Sequence, residues 1–308
     1  HSPDKIKAFC KHFGVCGGCK WQNIPYEKQL FFKEDFVKNA FSRIAKTDIN
    51  EFSSILPCDN DKFYRNKLEY TFSELRWLTK EEIETNVKFE QGVLGFHVPE
   101  VFDKAIDVEE CFLQAEPSGK IRNSIRNFAL ENKLSFYNIR EKTGLLRNLI
   151  VRTTTTDEVM AVVVFAENNS EKITLLMNFI KEQFPEITSL QYVINLKHND
   201  TITDQEVICF SGEKFIIEKM GNLKFMVSPK SFFQTNTKQA LKLYRLVLDF
   251  CNLNGGEIIY DLYTGTGSIA NFAAKHCKKV IGVEYVEDAV EDARKNSLLN
   301  DNDNCVFF

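Results

Sequence analysis

The chain has 308 residues, 44 % hydrophobic and 27 % charged, enough for two or three packed domains at roughly 100–200 residues each. No apolar run approaches the roughly 20 residues needed to cross a bilayer. The polar start, His1-Ser2-Pro3-Asp4-Lys5, has no signal-peptide core, so a membrane-free, cytoplasmic monomer is the default expectation. Net charge is −4, which argues against a nucleic-acid partner until its distribution is considered: +5 over residues 1–47, −7 over 48–235 and −2 over 236–308. A basic N-terminal arm could face RNA; a solvated surface explains it equally well. Nine cysteines, an odd number without a secretion signal, argue against a disulfide framework.

The first cysteines crowd together as Cys10, Cys16 and Cys19, with Gly17-Gly18 between the last two. The glycines let a short loop turn so that adjacent thiolates converge on one centre. A closed thiolate site needs a fourth ligand, and Cys58 and Cys111 are the candidates. Ligand type alone leaves zinc and a 4Fe–4S cluster both open. Tyr26 to Ala45 then reads as an amphipathic helix that packs this loop onto the body.

Residues 48–225 alternate strand and helix signals and predict an α+β region with mostly antiparallel pairing. Strands are expected at 63–72, 93–97, 149–155, 159–165, 190–196, 206–210 and 215–219, with helices over 115–132 and 170–184. Arg65-Asn66-Lys67 suits phosphate contacts, or else a charged strand edge protected from pairing. The 27 phenylalanines could supply stacking platforms, although most belong in a core.

A helix over 238–252, capped by Asn236 or Thr237, leads to the most informative stretch. Ile258-Ile259-Tyr260 is followed by Asp261-Leu262-Tyr263-Thr264-Gly265-Thr266-Gly267-Ser268 and a helical pattern over 269–276. A second apolar run, Val280 to Val283, ends on Glu284, 23 residues after Asp261. Glycines let such a turn approach a ligand, and an acid about 20 residues on can accept ribose hydroxyls. The motif predicts an adenosine-type ligand without choosing among cofactors. A helix over 287–299 and a strand from Cys305 follow. A doubly wound domain needs roughly five to seven strands, so the sequence is expected to stop inside one.

Three stretches together resemble one family. They are Cys10…Cys16-Gly-Gly-Cys19-Lys-Trp21-Gln22, then Phe63-Tyr64-Arg65-Asn66-Lys67, and Ser228-Pro-Lys-Ser-Phe-Phe-Gln234-Thr-Asn236 followed by Asp261–Ser268. The family is the RNA uracil-5 methyltransferases, more closely the iron–sulfur branch acting on 23S ribosomal RNA. The resemblance implies an iron–sulfur loop and helix over 1–47 and a central, RNA-facing α+β domain over 48–225. It implies the first half of a class I, Rossmann-like methyltransferase domain over 226–308. It also implies that Cys10, Cys16, Cys19 and Cys111 bind a 4Fe–4S cluster. Cys111 is preferred because Ala105–Leu113 resembles the segment holding the family's fourth ligand, whereas the family has no cysteine where Cys58 lies. Gln234, Tyr263 and Glu284 match S-adenosylmethionine contacts, with Gly265 and Gly267 forming the turn.

The family's N-terminal oligonucleotide-binding barrel has no counterpart here. Its catalytic cysteine and proton-abstracting glutamate are expected beyond Phe308. A thiolate must add at carbon 6 of uracil to make carbon 5 nucleophilic, and a base must then remove the carbon-5 proton. Cys251, Cys277 and Cys305 read as packing, so the chain as given carries no expected catalytic residue and is expected not to catalyse methyl transfer. Two other readings compete: a nicotinamide-dependent iron–sulfur oxidoreductase, because the turn and Glu284 would serve NAD, and a non-enzymatic RNA-binding module holding zinc.

Overall fold

The computed structural model describes residues 3–47, 49, 51–85 and 92–308. At its centre is a seven-stranded sheet in the order β3-β2-β1-β4-β5-β6-β7. The strands are β1 Lys67–Ser73, β2 Val93–Val98, β3 Val101–Asp107, β4 Leu146–Thr153, β5 Val159–Phe165, β6 Ile187–Ile194 and β7 Val207–Gly212. All neighbours pair antiparallel except β5 and β6, whose connection carries a helix.

The β5 run Val-Met-Ala-Val-Val-Val-Phe is apolar throughout because both faces of the sheet are covered. Alternate side chains go to opposite sides. Val159, Ala161, Val163 and Phe165 join a core with helices α3 (Ser118–Glu131) and α4 (Ser170–Gln183). Met160, Val162 and Val164 join a second core on the other face. That core is closed by the hairpin β8 (Ile216–Met220) and β9 (Leu223–Val227) and by helix α5 (Thr237–Cys251). Asn236 caps α5, its side-chain oxygen accepting from the Gln239 N–H at 3.0 Å.

After α5 come β10 (Ile258–Leu262), α6 (Ser268–Ala273), β11 (Lys279–Val283), α7 (Glu287–Leu299) and β12 (Cys305–Phe307). The three strands pair in parallel in the order β10-β11-β12, with α6 and α7 as crossovers. The hairpin strand β9 lies against α7, where Asn296 and Asn300 hydrogen-bond its backbone, so the two layers are stitched through polar side chains.

Several sequence expectations change. Arg65 and Asn66 precede β1 rather than forming part of a strand edge, their backbone N–H groups donating to the Leu113 and Thr235 carbonyls, and Lys67 opens β1 paired with Arg152 of β4. β3, β9 and the short α2 (Lys80–Glu84) escaped the sequence reading; β3 buries Asp103, Ala105 and Ile106, with no alternation of bulky and polar residues. The predicted N-terminal helix is present as α1 (Tyr26–Asn39), continued by a π-helical turn over Ala40–Ala45. It buries no residue; Phe36 is 74 % and Ile44 81 % exposed. It meets the cysteine loop through polar bonds instead, the Gln29 amide donating to the Trp21 and Ile24 carbonyls. Among the described residues no helix is long and apolar enough to cross a membrane.

Candidate functional site

The sequence-predicted nucleotide turn links β10 to α6. β10 and β11 lie side by side, Leu262 opposite Val283, so their C-terminal ends form one edge. The Thr264 N–H donates to the Val283 carbonyl at 3.0 Å and holds the turn against the neighbouring strand. Tyr263, Gly265 and Gly267 all take positive φ. At Gly267 (φ 74°) an added Cβ would also stand 3.0 Å from the Ala293 methyl, so the backbone conformation and the close packing of α7 both require glycine.

Glu284, at the end of β11, reaches this turn. One carboxylate oxygen accepts from the Gly265 N–H at 3.0 Å; the other accepts from the Tyr285 and Val286 N–H groups at 2.9 and 3.0 Å. Asp261, half-buried, accepts from the Thr264 hydroxyl at 2.7 Å and the Ala270 N–H at 3.0 Å. Tyr263 and Tyr285 are almost fully exposed beside the strand ends. Gln234 is also exposed, and its backbone carbonyl accepts from the Asn66 amide. Two residues earlier the Phe232 carbonyl accepts from the Thr266 hydroxyl, which ties that loop to the turn. The structure thus brings Tyr263, Gly265, Gly267 and Glu284 together and puts Gln234 on the adjoining loop.

Burial pushes the Asp261 carboxyl above its ordinary range, opposed by its bonds from Thr264 and Ala270. A carboxyl with a raised folded-state pKa contributes stability below its unfolded value and loses it as pH rises through the folded value. Wild type is therefore expected to lose stability relative to Asp261→Asn as pH rises above about 4. Denaturant unfolding of both proteins at pH 4 and pH 7 checks this; an identical difference at the two pH values would refute it.

Sequence reasoning missed the asparagines that hold the turn from behind. Asn271, Asn296, Asn300 and Asn302 are all buried. The Asn296 amide donates to the Thr266 carbonyl at 3.0 Å, and its oxygen accepts from the Met226 N–H at 2.7 Å. The Asn271 amide donates to the Gly267 carbonyl, and Asn302 donates in turn to the Asn271 oxygen. The available signal was the density of Asn between residues 296 and 304, which reads as turn chemistry in a sequence.

The second predicted site is the cysteine loop. Cys10, Cys16, Cys19 and Cys111 all line one small cavity of about 20 Å³, with His12 and Gln22. Gly17 has no positive φ; glycine is required because a Cβ would stand 2.7 Å from the His97 carbonyl of β2. The Gly17 N–H donates to that carbonyl and docks the loop on the sheet. The Gly18 N–H donates to the Cys16 sulfur at 3.4 Å. Burial first, then the neighbouring Cys111, Cys19 and Cys10, push the Cys16 thiol up to about 11; burial also raises Cys19 and Cys111. Cys58 is elsewhere, its sulfur 3.3 Å from the Asn236 amide. Among the described residues no three His, Cys, Asp or Glu side chains stand as a ready-made cation site. The four thiols match a thiolate-held centre in kind, but the space between them fits about one water.

A parallel strand–glycine turn–helix unit with an acid on the next strand end defines a nucleotide-binding α/β domain, here joined to an α+β body. No protein-family model matches the chain. It is 47 % identical over 311 residues to an uncharacterized RNA methyltransferase of Bacteroides thetaiotaomicron, an alignment covering 100 % of this chain and 68 % of that protein. A Porphyromonas gingivalis protein of the same description is 49 % identical over 313 residues, covering 100 % and 67 %. Among solved structures, the Pyrococcus abyssi tRNA (uracil-54, C5)-methyltransferase in complex with S-adenosyl-L-homocysteine superposes with a TM-score of 0.73 at 27 % identity. That alignment covers 100 % of this chain and 66 % of the other. The chain belongs to the RNA methyltransferase family and spans about two thirds of the length of these relatives.

Proposed function

We propose that the chain is part of an S-adenosylmethionine-dependent enzyme that methylates carbon 5 of a uridine in 23S ribosomal RNA. The observation that carries the cofactor reading is the Glu284 carboxylate hydrogen-bonded to the Gly265 N–H across two adjacent parallel strand ends. The complex of the Pyrococcus abyssi relative with S-adenosyl-L-homocysteine supports it. Glu284 presents its carboxylate to the ribose hydroxyls, Tyr263 lies beside the cofactor, and Gln234 offers an amide near its methionine end. The turn leaves the backbone bare at Gly265, where a Cβ would meet nothing within 4 Å, so a ligand can approach the main chain there. Calorimetric titration with S-adenosylhomocysteine and with NADH separates this reading from an oxidoreductase. Heat only with NADH would end it.

The substrate reading has a specific rival, because the Pyrococcus abyssi relative acts on tRNA. Incubating the full-length protein with labelled cofactor and either unmodified 23S RNA or tRNA decides between them. Label appearing on tRNA alone would move the assignment to tRNA.

We assign Cys10, Cys16, Cys19 and Cys111 to a 4Fe–4S cluster, which the convergence of the four thiols on one point supports; they would have to spread from their present spacing to admit it. Thiolates that are costly to bury alone become favourable ligands once a cation sits between them. Bound there, the cluster would brace the loop against β2 and β3 and shape the adjacent surface. Anaerobic reconstitution with iron and sulfide is expected to give a broad absorption near 400 nm in wild type and to lose most of it in Cys111→Ala. Stoichiometric zinc without a visible band would replace the cluster by a zinc site.

A further inference from the structure

A groove of about 450 Å³ lies between β1, β4 and the 230–235 loop. Its charge is unusual. Lys67 and Arg152 stand directly opposite each other in the β1–β4 register, and Arg65 and Lys230 also line the groove. Like charges facing each other across a strand pair are destabilising. One carboxylate lines the groove, Glu69, whose oxygen is 3.5 Å from the Lys67 ammonium. Lys230 is 3.7 Å from Asp288 on α7.

Arg152 is the sharpest feature. Its side chain is 4 % exposed, and its Nη2 donates to the Ser231 carbonyl at 2.7 Å. Its Nε is buried and has no hydrogen-bond partner among the described residues. A guanidinium held out of water with a donor unused is expensive. Burial pulls it down to about 10 and also lowers Lys67, with Arg152 the next cause for the lysine. Glu69, whose charge favours both Arg152 and Lys67, offsets only part of this, because it is one carboxylate against four cations lining the groove. A tetrahedral anion would supply the missing acceptors, and a guanidinium fork suits phosphate.

We propose that this groove is a phosphate subsite, taking one backbone phosphate of the RNA between Arg152, Lys67 and Arg65. The assignment rests on the RNA methyltransferase reading and specifies where that RNA is held. The Phe232 carbonyl in the groove wall accepts from Thr266 in the glycine turn, so phosphate site and cofactor turn share one wall.

Fluorescence anisotropy with a labelled 20-nucleotide single-stranded RNA, repeated across a KCl series, tests it. Arg152→Gln and Lys67→Gln are each expected to weaken binding about tenfold and to lower the slope of log affinity against log salt by about one. Lys67 is partly exposed, so its variant decides the matter if the Arg152 variant fails to fold. Variants that fold and bind RNA with wild-type affinity and slope overturn the subsite. Should wild type bind no RNA, the RNA reading fails by itself and inorganic phosphate becomes the probe. A thermal midpoint raised by phosphate in wild type but not in Lys67→Gln keeps the anion site; no rise in wild type removes it.

Discussion

Glu284→Ala is expected to weaken binding of S-adenosylhomocysteine on the order of a hundredfold, about 2.7 kcal/mol. The carboxylate does two things at once. It is the acidic group at the end of β11 that faces the ligand side of the turn, and it fixes the Gly265 N–H and the start of the segment into α7. Removing it loses the ribose contact and loosens the turn that shapes the site. Glu284→Gln keeps an oxygen that can accept from Gly265, so it should retain the turn and lose mainly the charge-assisted bonds to the ligand. Calorimetry on the three proteins therefore predicts an order, with wild type tightest and the alanine variant weakest. Alanine binding within twofold of wild type would show that the acid is not a ligand contact.

The largest expected effect on stability comes from a residue far from any ligand. Asn296→Ala strands the Thr266 carbonyl and the Met226 N–H, both tied to one fully buried side chain. Each buried polar group left without a partner costs about 1–3 kcal/mol, so a loss of roughly 2–6 kcal/mol is expected. Because Met226 lies on β9 and Thr266 in the glycine turn, the change should loosen the hairpin and the cofactor site together. Urea unfolding followed by fluorescence, with Asp303→Ala as an exposed control, reads the effect. A loss no larger than the control's would mean that Asn296 carries no structural weight.

The two sites were legible to different degrees, for physical reasons. The glycine turn is local: positive φ at Gly265 and Gly267 and an acid at a fixed chain distance are written in the order of residues. The strands of the central region were visible wherever bulky side chains alternate, and β5 stood out as a fully apolar run. β3 was not, because its buried positions are a paired Asp103, which reaches Arg140 at 2.5 Å, a small Ala105 and Ile106 next to it, and these do not alternate. α1 shows the opposite failure. Its apolar spacing reads as amphipathic, yet the helix buries nothing, since periodicity records a face and not what covers it.

The role of Asn66 was hidden for a similar reason. Between Arg65 and Lys67 it looks like part of a basic motif. In three dimensions its amide donates to the Gln234 carbonyl and the Thr237 hydroxyl and fastens the sheet to the N-terminus of α5.

Residue order alone determined the α/β turn with its acid, the crowding of Cys10, Cys16 and Cys19, and most of the succession of strands and helices, because these follow from backbone preference and short-range spacing. Only the tertiary structure could bring Cys111 to the same cavity as the three earlier thiols, set Arg152 against Lys67, and anchor the turn on Asn296. Those relations join residues about 30 to 100 positions apart, and nothing in a local pattern encodes which distant side chain will occupy the space left by its neighbours.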